Sequence, residues 1–127
     1  MVKQLSSVAL FEGLSTDELE RVANLSDQIE VDAGTELVDQ GDPGTFCFLL
    51  VEGTASVFVN GDYVSTSGPG SMVGEMALLD LRPRTATVIA NTPMTLRRFD
   101  IAAFRALLDE MPKASERINA ILLSRLR

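Results

Sequence analysis

Gly68 to Ala90, GPGSMVGEMALLDLRPRTATVIA, concentrate the specific chemistry of the chain. Glycines at 68, 70 and 74 run into a short helix-forming segment, Glu75-Met76-Ala77-Leu78-Leu79. Pro83-Arg84 then leads into the β-branched run Thr85-Ala86-Thr87-Val88-Ile89. This is the layout of an anion site. Glycine lets the backbone approach a ligand closely, and the unpaired N–H groups and dipole at a helix start favour a negative group such as phosphate. An arginine beside such a turn supplies a bidentate guanidinium–phosphate contact, and a carboxylate facing the same space accepts hydrogen bonds from sugar hydroxyls.

The spacing carries a resemblance. Gly74-Glu75-Met76-Ala77-Leu78, then four residues, then Pro83-Arg84-Thr85-Ala86 is similar to the phosphate-binding cassette of cyclic nucleotide-binding domains. Bacterial cyclic-AMP receptor-type regulators, cyclic nucleotide-dependent kinases and gated channels share this module. The resemblance implies that Glu75 holds the ribose 2′-hydroxyl and Arg84 the cyclic phosphate. Amides near Ala77 and Ala86 would complete the cradle, and Val73 with its apolar neighbours would meet the base. The ligand-binding set it implies is therefore Val73, Gly74, Glu75, Met76, Ala77, Arg84, Thr85 and Ala86, with cyclic AMP as the ligand. Thr85 keeps cyclic GMP as second choice, because its hydroxyl suits a phosphate oxygen or, in guanine-selective members, the guanine amino group. Two positions depart from the family pattern: Val73 replaces a common phenylalanine, and Leu81 stands where glycine is frequent. Neither departure removes a ligand-contacting charge.

At 127 residues and 46% apolar content, the whole of 1–127 reads as one domain able to bury its own core. The expected parts are a helical segment 1–26, a β-roll 27–100 and C-terminal helices 101–127. No apolar run approaches a bilayer span and no signal-peptide layout opens the chain, so it reads as cytoplasmic, without a membrane partner. The lone Cys47 permits no internal disulfide. A net charge of −7 argues against nucleic acid as a partner. It also makes anion binding local, with Arg82 and Arg84 focusing positive potential at one spot.

Ser15-Thr16-Asp17-Glu18 has the form of a capping box and predicts a helix from Thr16 to about Leu25, with Leu19, Val22 and Ala23 inward. A shorter helical turn is expected around Lys3 to Ala9. In the family resembled this N-terminal segment rearranges on ligand binding, which offers Leu10, Phe11 and Leu14 as moving contacts; the plainer reading places them in the core. Eight short strands follow, expected at Gln28–Val31, Glu36–Asp39, Thr45–Val51, Ala55–Val59, Asp62–Ser67, Ser71–Val73, Thr85–Ala90 and Thr95–Asp100. Asp32-Ala33-Gly34 and Asn60-Gly61-Asp62 have hairpin chemistry, and Gln40 to Gly44 form a loop. Phe46 to Val51 are apolar on both faces and should be covered on both sides, with Cys47 a buried structural thiol. The spacing predicts a sandwich or barrel. The family resembled gives it as an eight-stranded, jelly-roll-like β-roll, a double-stranded β-helix, mainly β with flanking helices.

After an Asp100 cap, Ile101, Phe104, Leu107 and Leu108 form one helical face, and Met111-Pro112 breaks the run. A second amphipathic helix is expected from about Lys113, with Ala114, Ile118, Ile121, Leu122 and Leu126 as its stripe. That stripe serves either packing on the roll or, as the resemblance implies, a lid over the base or a homodimer or effector-domain contact. Leu123, off the stripe, adds to the partner surface.

Catalysis is not expected. The chain has no histidine, the commonest general base and metal ligand, and no run resembling a calcium loop, so neither a metal nor a cofactor beyond the ligand is implied. Two rivals belong to other classes. One is a β-roll that serves only interaction or dimerisation and binds no nucleotide. The other is a cyclic-AMP receptor-type transcription regulator, which needs a helix-turn-helix beyond Arg127 and stands only if this sequence is a fragment of a longer protein.

Overall fold

Alternation of inward apolar residues with turn residues folds the middle of the chain into two four-stranded antiparallel sheets. The computed structural model describes residues 11–41, 46–74 and 86–125. Its strands are β1 (Asp27–Val31), β2 (Glu36–Val38), β3 (Phe46–Glu52), β4 (Ala55–Val59), β5 (Asp62–Ser67), β6 (Met72–Val73), β7 (Thr87–Ala90) and β8 (Met94–Asp100). One sheet has the order β1-β8-β3-β6 and the other β2-β7-β4-β5. Three described helices flank them: α1 (Thr16–Leu25), α2 (Ile101–Glu110) and α3 (Pro112–Arg125). This is the expected eight-stranded, mainly β roll with helices at both ends. The helices expected at Lys3–Ala9 and at 75–79 lie outside the described residues.

Strand ends differ from expectation by a residue where pairing decides. Asp27 joins β1 because it faces Arg98, and Met94 joins β8 because it faces Val31. Asp39 leaves β2, since its carboxylate accepts the Thr87 hydroxyl instead. Ser71 precedes β6, Glu52 extends β3 and Pro112 opens α3; Thr45 and Thr85 lie outside the described residues. The larger correction concerns Asp32-Ala33-Gly34. It closes no hairpin, because β1 and β2 belong to different sheets, and the turn carries the chain across. Gly34, at φ 88, donates its N–H to Ala90 of the second sheet at 2.7 Å. Asn60 and Gly61, at φ 54 and 83, do close the β4–β5 hairpin, as that dipeptide should. At Gly53, between β3 and β4, glycine is required: φ is 91, and a Cβ would sit 2.6 Å from the Pro93 carbonyl oxygen.

The expected end-caps are in place. Ser15 Oγ accepts the Glu18 N–H at 3.1 Å and Glu18 returns the bond to the Ser15 N–H at 3.0 Å, which opens α1. That backbone bond also holds the Glu18 carboxyl below the usual range. Asp100 accepts the Ala103 N–H at 2.7 Å and opens α2.

β3 is covered on both sides, as its apolar run demands. Cys47 and Leu49 face a helix-side cluster with Phe11, Leu19, Phe99 and Phe104, and Leu50 faces a cluster between the sheets with Val73, Val88 and Leu96. Phe11 is core and Leu14 packs against it; Leu10 lies outside the described residues. Ala114 and Ile118 of α3 belong to the same cluster, so this part of the stripe packs on the roll. The side chains of Ile121, Leu122, Leu123 and Leu126 lie outside the described part.

One buried cation had no signature in the sequence. Arg97, 3% exposed on β8, donates to Ser26 Oγ at 2.9 Å, to the Ser26 carbonyl at 2.9 Å and to the Ala23 carbonyl at 2.7 Å. It thereby caps the C-terminus of α1, where the helix dipole favours a positive charge. Burial pulls its pKa down, and nearby Asp27 partly offsets this. At the surface Arg21 of α1 grips Glu110 of α2 through both carboxylate oxygens, at 2.8 and 2.9 Å. Lys113 and Arg117 of α3 donate to the carbonyls of Gly13 and Glu12. The N-terminal and C-terminal helices are therefore fastened to each other as well as to the sheet.

Candidate functional site

The segment 74–86 connects the two sheets. The chain leaves the first at Val73, which pairs with Phe48, and joins the second at Thr87, which pairs with Phe58. Val73 is buried, 4% exposed, and it shares the cluster between the sheets with Val88, one residue past Thr87. Both ends of the segment are thus set in one apolar core.

Gly74 follows Val73 at φ 84, a conformation that side chains with a Cβ rarely adopt. This turn lets the chain leave the sheet abruptly. Ala86 is half-buried just before β7. Of the eight sequence-derived site residues, Val73, Gly74 and Ala86 are therefore placed, at the two ends of the segment. Glu75, Met76, Ala77, Arg84 and Thr85 lie outside the described residues. Glu75 is two residues along the chain from Val73 and Arg84 three from Thr87, and Val73 and Thr87 belong to different sheets.

Strand β6 joins this site to the helices. Its two residues point opposite ways: Val73 into the cluster between the sheets, and Met72 into the cluster that holds Phe104 and Leu107 of α2.

Further polar groups collect around the site's two strands, brought there by pairing between distant segments. Asp27, Arg98, Phe48 and Val73 form one row across the first sheet. The Arg98 guanidinium lies 4.6 Å from the centre of the Phe46 ring and reaches Asp27 at 3.3 Å. At the start of β7, Thr87 Oγ1 accepts the Gln40 N–H and donates to Asp39, each at 3.0 Å. Among the described residues no group of three His, Cys, Asp or Glu could hold a metal ion, and no helix is long and apolar enough to cross a membrane.

Comparison with known proteins agrees with this geometry. The family model described as "Cyclic nucleotide-binding domain" matches residues 28–111, which include the whole segment between Gly74 and Ala86. A cAMP-dependent protein kinase regulatory subunit of Yarrowia lipolytica is 33% identical over 108 residues, covering 85% of this chain and 29% of that protein. The crystal structure of the Thermus thermophilus catabolite activator protein superposes with a TM-score of 0.81 at 28% identity, over 93% of this chain and 58% of that one. A cAMP-binding acyltransferase of Mycobacterium smegmatis gives a TM-score of 0.83 at 30% identity, over 98% of this chain and 40% of that one. The chain spans about a quarter to a third of the lengths of the curated relatives it matches. On the family match, the sheet order and the Glu75 and Arg84 spacing together, the chain belongs to the cyclic nucleotide-binding domain family.

Proposed function

We propose that the domain is a sensor that binds cyclic AMP, with cyclic GMP as the weaker ligand, and relays binding through its C-terminal helices. The observation that carries this reading is the family match, because it extends over the very segment in which Glu75 and Arg84 stand at cassette spacing. Arg84 receives the cyclic phosphate together with amides near Ala77 and Ala86, and Glu75 accepts the ribose 2′-hydroxyl. Gly74, Met76 and Thr85 complete the pocket. Val73 and its apolar neighbours receive the base. Met76, Leu78 and Leu79 then draw α2 toward the roll, and α3 follows because Met111 is the single residue between them. The helix ties through Glu110, Lys113 and Arg117 support a concerted movement of the N-terminal turn with α2 and α3.

No catalytic step, metal or cofactor is assigned to this domain; the reading is of a cytoplasmic regulatory module on one chain segment, 1–127, with cyclic nucleotide as its ligand and neither nucleic acid nor membrane as partner. A homodimer or an effector domain is reached through the C-terminal helix. Isothermal titration with each nucleotide tests the central claim. Binding of cyclic AMP tighter than cyclic GMP is expected, and no heat from either at millimolar concentration would leave the domain as an interaction module instead.

Glu75→Ala is expected to weaken cyclic AMP by about 1.5–3 kcal/mol for each charge-assisted bond lost to the ribose. Titration against 2′-deoxy cyclic AMP checks the cause. The deoxy ligand should bind wild type and variant alike, because the bond in question is already gone.

A further inference from the structure

We propose that Thr87 is a positioning residue for Arg84, held by a polar strap that ties three loops at the end of the second sheet where the segment 74–86 arrives. The inference rests on the cyclic-nucleotide reading above. The strap starts at the Thr87 hydroxyl, which accepts the Gln40 backbone N–H at 3.0 Å and donates to Asp39 Oδ1 at 3.0 Å. It continues through the Gln40 side chain. Nε2 donates to Asn60 Oδ1 at 2.9 Å and Oε1 accepts the Asn60 N–H at 2.8 Å. Asp39 and Gln40 follow β2, Asn60 opens the β4–β5 turn, and Thr87 opens β7, which lies between β2 and β4.

The hydroxyl's double use needs a side chain that both donates and accepts on a residue suited to a strand, and threonine is that residue. Downstream of Thr87 the backbone is fixed by ladder pairing, Val88 with Val38 and with Val57. Upstream the chain runs through Ala86 to Arg84, three residues away. Among the described residues Thr87 is the first paired in this ladder, three positions from Arg84, and the strap clamps it from the side. Asp39 and Asn60 are exposed, where hydrogen bonds contribute little to folding, so the strap's main effect is to fix the backbone at Thr87, where the preceding segment ends. A site whose charged group is held in place before the ligand arrives loses less ordering entropy on binding and releases its ligand more slowly.

Thr87→Val keeps the shape and removes the hydroxyl. Measured on the chain by calorimetry and by stopped-flow displacement of bound cyclic AMP, it should lose affinity about tenfold, in the release rate, with its thermal midpoint close to wild type. Thr87→Ser should restore binding. In an Arg84→Lys background the loss should shrink to about twofold, because the effect passes through the guanidinium. An equal loss in both backgrounds overturns the positioning role and leaves a structural one. Gln40→Leu cuts the Asn60 leg without touching Thr87 and should act in the same direction, which keeps the test open if Thr87→Val does not fold. Unchanged affinity in Thr87→Val or, failing its folding, in Gln40→Leu overturns the strap. A wild-type chain that binds neither nucleotide overturns the cyclic-nucleotide reading itself, and the strap falls with it.

Discussion

Replacing Arg84 by alanine is expected to weaken cyclic AMP binding by about 2–5 kcal/mol, the usual cost of truncating one partner of a buried, hydrogen-bonded charge pair. That is roughly 30-fold to several thousand-fold in affinity. The reason lies in the charge balance of the chain. At −7 overall the protein repels an anion at long range, so a bound phosphate depends on a locally placed cation and on backbone N–H groups. On the proposed reading, removing the guanidinium would cost the phosphate two parallel charge-assisted bonds, and backbone amides could not replace its charge. Arg84→Lys should fall between the two, since it keeps a point charge and loses the fork. Calorimetry on the three proteins checks the order. Unchanged affinity in both Arg84→Ala and Glu75→Ala would mean that the ligand, if any, sits elsewhere on the roll.

Features that depend on local chemistry were legible in the sequence. The Ser15/Glu18 capping box, the Asn60-Gly61 hairpin, the Asp100 cap and the inward face of Phe104 and Leu107 each follow from residues within four positions of one another, and each is found. Features that depend on distant partners were not. Asp32 to Gly34 has hairpin composition, yet which sheet receives the next strand is decided by pairing with β7, about fifty residues on. Arg97 carries no local signature of burial, because its partners at Ala23 and Ser26 are more than seventy residues away. Thr87 and Asp39, 48 apart, belong to the same class. For the site the division is sharper. Family spacing points to Glu75 and Arg84, with Val73 in the same set, whereas the described structure adds Thr87 and its distant partners, which a motif cannot supply.

The second large effect lies in the core that links this site to the helices. Phe104→Ala should lower the folding free energy by about 3–5 kcal/mol, a large part of the roughly 5–15 kcal/mol that stabilises a domain of this kind. Phe104 is 1% exposed and shares its cluster with Leu19 and Val22 of α1, Leu49 of β3, Met72 of β6 and Ile118 of α3. Its ring therefore fills space that no single neighbour can close, and the cavity term adds to the lost transfer energy. Urea unfolding should show a lower midpoint at unchanged slope, which separates lost stability from a change in the unfolded state. Ile101→Ala on the same helix, only half-buried, is the control and should cost clearly less. Because a ligand that binds only the folded chain stabilises it by mass action, saturating cyclic AMP should restore part of the lost stability, in proportion to the logarithm of ligand over Kd. A Phe104→Ala protein that unfolds at the wild-type midpoint would show that α2 is not docked against the roll in solution, and the helix relay would have no mechanical basis.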